Sequence, residues 1–398
     1  MSWETILFYI DWILFIIAAF TVLYLLVFAL AAMFGRKEYI PVSQKKHRIL
    51  VLFPCYKEDK VIENTINSFL EQDYPRSEFD VAVISDHMSE ITNFKLAQYP
   101  IILLTPNFEK SSKAKSLNYA MQHIPYKKYD IVVILDADNL VDKDFLQHIN
   151  NVYAAGSKAI QAHRISKNRN TYTAILDALS EEVNNSIFRA GHVNLGFSSA
   201  LIGSGMAMDY HWFKEHIGLV STAGEDKEFE ALLMEDRIYI EYLNDIYVYD
   251  EKVQKREVFN KQRRRWMAAQ FNSLSSNFKK LFPALYRRNF DLADKIFQWM
   301  MLPRSILLAL IIFMGGLMPI LYAYMDMHWW QLALKWWIIF FILLLTFAIA
   351  IPNYLVDHRF NKAMRQVPVL GFGMILNLFR LGGLKEKFLH TDHDYDEK

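Results

Sequence analysis

Tyr129-Asp130-Ile131-Val132-Val133-Ile134-Leu135-Asp136-Ala137-Asp138-Asn139 is the stretch on which the reading of the fold turns. Its aliphatic run is apolar throughout rather than alternating, which predicts a strand buried on both faces, as in a parallel sheet. The run stops at two carboxylates. Ligands of open α/β sheets sit beyond the carboxyl ends of the strands, and Asp136 and Asp138 fall at that end. Two residues apart, they point the same way if the strand geometry persists. Such a pair suits a hard divalent cation, and magnesium is usually shared between protein carboxylates and substrate phosphates. A strand-end turn with two solvated acids is the competing reading, and D-x-D alone does not choose between them.

Working outward, Ile49 to Pro54, Phe79 to Ser85 and Ile101 to Leu104 are further strand candidates. Between them Val61 to Gln72 and Lys110 to Met121 have helical spacing. The alternation predicts an α/β domain with a mostly parallel sheet. Later strand candidates are Ala159 to Arg164, Leu201 to Met208 with a glycine break, Ile238 to Ile240 and Ile246 to Tyr249. Thr173 to Ile187 reads as a helix whose Glu181 and Glu182 lie on a solvated face, as does Glu228 on a later helix.

The ends of the chain differ in character. Hydrophobic residues make up 53% of the 398 residues and aromatics 15%, an excess concentrated at the termini. Thr5 to Phe34 is long and apolar enough to cross a bilayer, with Asp11 placed near enough to the interface to stay hydrated. It lacks the basic start of a signal peptide. Ile306 to Met325 and Leu332 to Ile351 are two more spans. Val367 to Leu381 is shorter and reads as an interfacial helix or a fourth span. Arg36, Lys37, Lys45, Lys46, His47 and Arg48 after the first span, and His358 to Arg365 after the third, predict a cytoplasmic central domain. Between the domain and the second span, Phe271, Leu274, Phe278, Leu281 and Phe282 interleave with Lys279, Lys280, Arg287 and Arg288, as in helices lying on a membrane surface. The expected division is therefore a membrane helix over 1–35, a soluble domain over 36–266, interfacial helices over 267–303, two spans over 304–352 and a tail over 353–398.

Net charge is +1, so overall charge supplies no electrostatic footprint for nucleic acid. The basic run Lys255 to Arg265 is short, borders the membrane and lacks a docking module, which argues against a nucleic-acid partner. The single cysteine, Cys55, rules out an intramolecular disulfide.

The order of several motifs resembles the membrane-integrated branch of the family-2 glycosyltransferases, which includes cellulose, chitin, hyaluronan and poly-N-acetylglucosamine synthases. Pro54-Cys55-Tyr56-Lys57-Glu58 is similar to that family's first strand end, Asp86 to the aspartate closing its next strand, and Lys113-Ala114-Lys115-Ser116-Leu117-Asn118 to its K-A-x-x-L-N turn. Asp136-Ala137-Asp138 matches its D-x-D, Gly203-Ser204-Gly205 its acceptor-side G-x-G, Glu225-Asp226 its E-D pair and Gln262-Arg263-Arg264-Arg265-Trp266 its Q-x-x-R-W. Gly224 departs from the pattern, since many relatives carry threonine there.

The resemblance implies a GT-A-like (Rossmann-like) domain that transfers sugar from a UDP-sugar with inversion, using Mg²⁺ or Mn²⁺ on Asp136 and Asp138. It assigns donor contacts to Tyr56, Glu58, Asp86, Lys113, Asp136, Gln262 and Arg265, acceptor contacts to Gly203, Ser204, Gly205 and Trp266, and the base to Asp226 beside Glu225. The chemistry makes separate demands that these residues meet. A diphosphate leaving group needs positive charge, from a cation and from a bidentate arginine such as Arg265. An acceptor hydroxyl needs a base near pH 7. Trp266 offers a flat face for sugar stacking.

The expected acceptor is a growing glycan. Single transfer to a lipid such as a polyprenyl phosphate, and a catalytically silent membrane scaffold, are the rivals. About three spans with few polar residues make a poor glycan channel alone, so export would call for a partner protein or a second copy. The main polar cluster near the second span is Gln298 with Trp299 and Arg304.

Overall fold

Successive residues of the central strands enter two different cores. The computed structural model describes residues 3–35, 40–125, 128–222, 224–325 and 329–365. Its strands are β1 (Ile49–Tyr56), β2 (Phe79–Asp86), β3 (Ile102–Leu104), β4 (Ile131–Ile134), β5 (Leu140–Val141), β6 (Ala159–Ser166), β7 (Met206–Asp209) and β8 (Ile240–Asp250). Leu50 and Leu52 of β1, with Val132 and Ile134 of β4, pack beneath the helices Lys113–His123, Tyr210–His216, Glu225–Glu235 and Phe290–Met300. Ile49, Val51 and Phe53, with Ile131 and Val133, pack against Ile62–Phe69 and Phe145–Ala154 on the other face. Burying an aliphatic side chain contributes about 1.5–3 kcal/mol, so a strand buried on both faces has no position free for a polar residue until it ends.

The eight strands form one sheet in the order β3-β2-β1-β4-β7-β6-β8-β5. Strands β3, β2, β1 and β4 run parallel, as does β6 with β8, while β7 is antiparallel to both neighbours and β5 is antiparallel to β8. The α/β expectation holds, and the sheet is mixed. Reversal at β7 has a functional consequence. Met206, at the start of β7, pairs with Ile134, at the end of β4, so the loop leading into β7 lies beside the Asp136 turn.

Some elements differ from the sequence reading. Ile240, the last residue of the Ile238 to Ile240 candidate, and all of Ile246 to Tyr249 belong to the single strand β8, and Asn244 and Asp245 are exposed within it. Of the Leu201 to Met208 segment only Met206 to Met208 is strand, and the strand continues to Asp209. The helix Tyr172–Asn184 continues into a π-helical turn, Asn185–Ala190.

Among the described residues three helices are long and apolar enough to cross a membrane, Trp3–Met33, Arg304–Tyr324 and Ala333–Ala350 within Trp329–Ala350. They share a core of Leu25, Phe28, Leu307, Ile311, Met318 and Leu343, joined by Val183 from the end of the Tyr172 helix and Ile187 from the π turn after it. Asp11 is fully buried among them rather than hydrated. It accepts hydrogen bonds from Tyr322 Oη and Trp336 Nε1, both at 2.8 Å, and pairs with Lys335. A carboxylate in an apolar bundle needs such partners, and Lys335 arrives from another helix. The helix Arg256–Asn277 runs unbroken through residue 266, and Phe271, Phe278, Phe282 and Tyr286 are exposed on it and on the segment that follows. Val367 to Leu381 lies outside the described residues.

Candidate active site

Three parallel strand ends and the β7 loop converge on one cavity of about 1120 Å³. Tyr56 ends β1 directly opposite Asp86, which ends β2. The residues after them, Lys57 and His87, adopt left-handed backbone, with φ of 58° and 57°. Non-glycine residues in that region are uncommon, cost of order 1–3 kcal/mol and cluster at functional sites. Asp86 is fully buried; its Oδ1 accepts from His87 Nδ1 at 2.6 Å, while Oδ2 meets no donor among the described residues. Tyr56, Glu58, Asp86, Lys113, Asp136 and Asp138 all line this end of the cavity.

Asp136 shares its strand parity with Val132 and Ile134, which points it to the face covered by the Lys113–His123 helix. Lys113, the first residue of that helix, pairs with Asp136 and donates to the Gly203 carbonyl at 2.8 Å. Arg164 Nη1 lies 4.0 Å from the other Asp136 oxygen. Asp138 is also buried; its Oδ2 accepts the Glu251 N–H at 2.9 Å and its Oδ1 accepts Asn139 Nδ2 at 3.2 Å. The turn is clasped from two sides. Ser204 Oγ accepts the Asp136 N–H at 3.0 Å and donates to Asn139, and Asn139 Nδ2 also donates to Asp250 at 3.2 Å.

Gly203 and Gly205 sit at φ of 82° and 64°. A Cβ on Gly203 would lie 3.3 Å from Glu225 Oε1, and one on Gly205 would lie 2.7 Å from Val248 Cγ2. Both backbone and space therefore call for glycine. The segment read as acceptor-side also holds the D-x-D turn, through Ser204 and the Gly203 carbonyl.

Glu225 and Asp226 open the helix Glu225–Glu235. Glu225 lies 3.9 Å from Lys113 Nζ. Burial pushes its carboxyl up to about 7; Lys113 opposes this and the Asp226 charge reinforces it. Lys113 is itself held above the ordinary lysine value, because Asp136 and Glu225 outweigh its own burial. Glu228 is half-buried and bonded to the chain rather than to water alone. It accepts the Ser221 N–H at 3.1 Å and the Thr222 N–H at 2.7 Å, fixing the loop before Glu225. Gly224 packs on the Arg256–Asn277 helix so closely that a Cβ would fall 2.8 Å from Ala269 Cβ, which accounts for glycine in place of threonine.

A testable consequence follows from the Glu225 shift. Its folded-state value lies above the ordinary 4.5, so below 4.5 the carboxyl is protonated in the folded and unfolded chain alike and contributes nothing. As pH rises through the ordinary value toward about 7 the buried charge becomes progressively destabilising, and the full cost remains above. Glu225→Gln should therefore raise Tm relative to wild type more at about pH 8 than at about pH 5. An equal difference at both pH values, by scanning fluorimetry in detergent, contradicts this.

Gln262, Arg265 and Trp266 line the wall opposite the strand ends. Gln262 Oε1 and Arg265 Nε are buried without a hydrogen-bond partner among the described residues. Buried polar atoms left unmatched are expensive, so atoms in this state beside a cavity mark where a polar ligand would complete them. Arg263, within the same motif, also lines the cavity but is already partnered. It bonds Asp177 Oδ1 at 2.8 Å and Ser180 Oγ at 2.9 Å, with its guanidinium 4.6 Å from the Trp266 ring centroid. It thereby fixes the tryptophan face.

Sequence reasoning missed a buried ionic network on the β6–β8 side of the cavity. Arg164 Nη2 bonds Glu181 Oε2 at 2.9 Å, and Lys252 Nζ bonds Glu181 at 2.8 Å and Asp250 at 2.7 Å. Glu181 and Glu182 are buried rather than solvated, and Glu182 pairs with His163 at 3.1 Å. Burial disfavours the charges of Glu181 and Asp250, but the adjacent Arg164 and Lys252 outweigh it and hold both carboxyls below the ordinary range. A periodicity argument assigns such glutamates to water. The π turn that follows them, a feature frequent at functional sites, also has no local sequence signal.

Among the described residues no three His, Cys, Asp or Glu side chains are grouped to hold a metal ion. Asp136 and Asp138 nevertheless supply the hard oxygen donors that magnesium or manganese takes when phosphates complete its coordination.

A segment of 99 residues, 24% of this chain, is 33% identical to the poly-beta-1,6-N-acetyl-D-glucosamine synthase of Staphylococcus aureus strain COL, and the match spans 23% of that relative's length. Among solved structures, the mannosyltransferase PcManGT from Pyrobaculum calidifontis, determined with GDP-Man and Mn²⁺, aligns over 91% of this chain and 98% of its own. The TM-score is 0.53 at 18% identity, which is a likeness of fold. The family described as "Glycosyltransferase like family 2" matches residues 47–269, more than half of the chain. That range contains every strand of the sheet and each motif gathered at the cavity, and on this ground the protein belongs to the family-2 glycosyltransferases.

Proposed function

We propose that this enzyme transfers a sugar, with inversion, from a UDP-sugar to a hydroxyl of a growing glycan. The observation that carries the reading is the opening of three groups onto one cavity: the Asp136–Asp138 turn, the Glu225–Asp226 pair and the Gln262–Trp266 wall. In this reading Tyr56, Glu58 and Asp86 receive uracil and ribose at the ends of β1 and β2, where the unmatched Asp86 oxygen can accept a ribose hydroxyl or pyrimidine N–H. Lys113 holds Asp136 in place and stands between the donor and acceptor sides. A divalent cation held by Asp136 and Asp138 would supply positive charge to the leaving diphosphate. Arg265 and Gln262 approach the phosphates from the opposite wall, and Trp266 stacks on the acceptor sugar.

The step is one displacement. Asp226 takes the proton of the acceptor hydroxyl, the hydroxyl oxygen bonds to the anomeric carbon from the far side, and UDP leaves with the electrons of the broken C–O bond. No protein nucleophile is involved, and one displacement inverts the centre. The name of the staphylococcal relative supports a glycan product, and the Mn²⁺ beside GDP-Man in PcManGT supports a divalent cation.

We place the catalytic domain in the cytoplasm, with the three apolar helices crossing the cell membrane and the exposed Phe271, Phe278 and Phe282 resting at its surface. A reporter fused near Gln44 should read cytoplasmic and one inserted near His328 external. The opposite pair of readings rejects this orientation. The reaction itself is tested by turnover of purified protein against a panel of UDP-sugars, with mass analysis of the products. A polymer ladder supports the glycan acceptor, a single addition to lipid supports lipid transfer, and no turnover with any donor overturns the enzymatic reading.

A further inference from the structure

The cavity does not stop at Trp266. Its lining continues past Gln270 and Trp299 to Leu25 of the first apolar helix, Ile312 of the second and Phe347 of the third. Arg304 stands where the polar part gives way to the apolar part, as the first residue of the helix Arg304–Tyr324.

Among the described residues the surroundings of Arg304 hold no counter-charge. Its Nη2 donates to the Ser180 carbonyl at 3.2 Å and to the Ser180 hydroxyl at 3.3 Å. The same hydroxyl receives Arg263 Nη1 at 2.9 Å. Arg263 is balanced by Asp177, whereas no carboxylate among the described residues lies within ion-pair distance of Arg304. No side chain caps the start of its helix, and the partial positive charge of a helix N-terminus adds to that of the guanidinium. Among the described residues, two arginines joined through one serine therefore carry one negative partner, Asp177. They do so beside a low-dielectric wall, where an unbalanced charge is costly. The complementary molecule has an anion at this point and a long apolar chain beyond it. Planar guanidinium groups match phosphate oxygens through paired N–H donors.

The other end of the acceptor is constrained as well. A phosphate nucleophile is already anionic, so a carboxylate base at Glu225–Asp226 serves a hydroxyl instead. The geometry points to an acceptor hydroxyl carried on a lipid-anchored phosphate, such as a sugar joined to a long-chain phosphate. The phosphate rests on Arg304 and Arg263, the chain lies along the apolar helices, and the sugar reaches Trp266 and Asp226. This inference rests on the transferase reading above and names the class of its acceptor. The reacting bonds are unchanged: the hydroxyl oxygen gains the glycosyl group, its proton passes to Asp226, UDP departs and the lipid phosphate stays intact.

The test uses the full chain in detergent and radiolabelled dodecyl phosphate as the probe. Wild type should bind it, with competition by unlabelled dodecyl phosphate but not by inorganic phosphate or neutral dodecyl glucoside. Arg304→Leu should weaken binding by about tenfold or more, the scale expected when one partner of a charge pair is removed. Arg304→Lys should retain most of it. UDP binding on the same preparations reports whether the protein is folded at its donor end. Equal binding by Arg304→Leu overturns the inference, as does equal competition by dodecyl glucoside. Wild type that binds UDP but not dodecyl phosphate rejects the lipid-phosphate acceptor alone, whereas wild type that binds neither UDP nor any UDP-sugar rejects the UDP-sugar transfer on which it rests.

Discussion

Asp138→Asn is expected to abolish sugar transfer while leaving the protein folded and inserted. Asparagine is nearly isosteric with aspartate and keeps an oxygen for the Glu251 N–H, so the turn can persist. What the substitution removes is the negative charge at the position proposed to hold the cation. Removing one electrostatic stabiliser of a developing charge costs on the order of 10²–10³ in kcat, and losing the cation as well should take turnover below detection. UDP binding should weaken in the presence of Mg²⁺ or Mn²⁺ and change little in their absence. Asp136 makes a poorer test, because its pairing with Lys113 and its approach to Arg164 mean that Asp136→Asn would also release two cations into the cavity. Full activity in Asp138→Asn, or wild-type turnover indifferent to strong chelation, contradicts the assignment.

The parts of this molecule that could be read from its sequence are those with local causes. An unbroken aliphatic run ending in Asp136 has one physical use, and β4, buried on both faces, has that use. The strand-end positions Tyr56 and Asp86 follow from the same logic, since parallel strands place their carboxyl ends on one edge. The three apolar helices required only length and composition. The parts that could not be read depend on partners distant in sequence. Glu181 and Lys252, 71 positions apart, are each ordinary surface residues until the fold buries them together. Asn139 and Ser204, 65 apart, give no sign that one clasps the turn of the other. Asp11 looked solvated because Lys335, which neutralises it, lies 324 positions away. Strand β8 looked like two strands because the exposed pair Asn244-Asp245 resembles a turn, although the Asn244 carbonyl bonds His163 Nδ1 at 2.8 Å within the sheet. The glycine loop was expected to contact the acceptor, but its hold on the Asp136 turn depends on the antiparallel direction of β7, which no local pattern encodes.

Asp226→Asn should lower kcat by about 10²–10⁴-fold, the range for a lost general base, with donor affinity close to that of wild type. The separation of effects is the informative part. Asp226 lines the cavity at the start of the Glu225–Glu235 helix, whereas the proposed uridine contacts lie at the ends of β1 and β2. Its Oδ1 accepts the Lys227 N–H at 2.9 Å, a bond that the amide oxygen of asparagine can also accept, so the helix start should survive. Glu225 is the rival base, and its carboxyl, pushed up to about 7, has a basicity suited to proton transfer near neutral pH. Position distinguishes the two. Glu225 Oε1 faces Lys113 at 3.9 Å and the Gly203 loop, within the group of residues that holds Asp136. Glu225→Gln should therefore disturb donor binding along with turnover, and Asp226→Asn turnover alone. A large kcat loss in Glu225→Gln with donor affinity intact, together with near-normal turnover in Asp226→Asn, would transfer the role of base to Glu225. An Asp226→Asn enzyme whose main defect is weak UDP binding would mean that Asp226 faces the donor, and that the two ends of the cavity have been assigned in reverse.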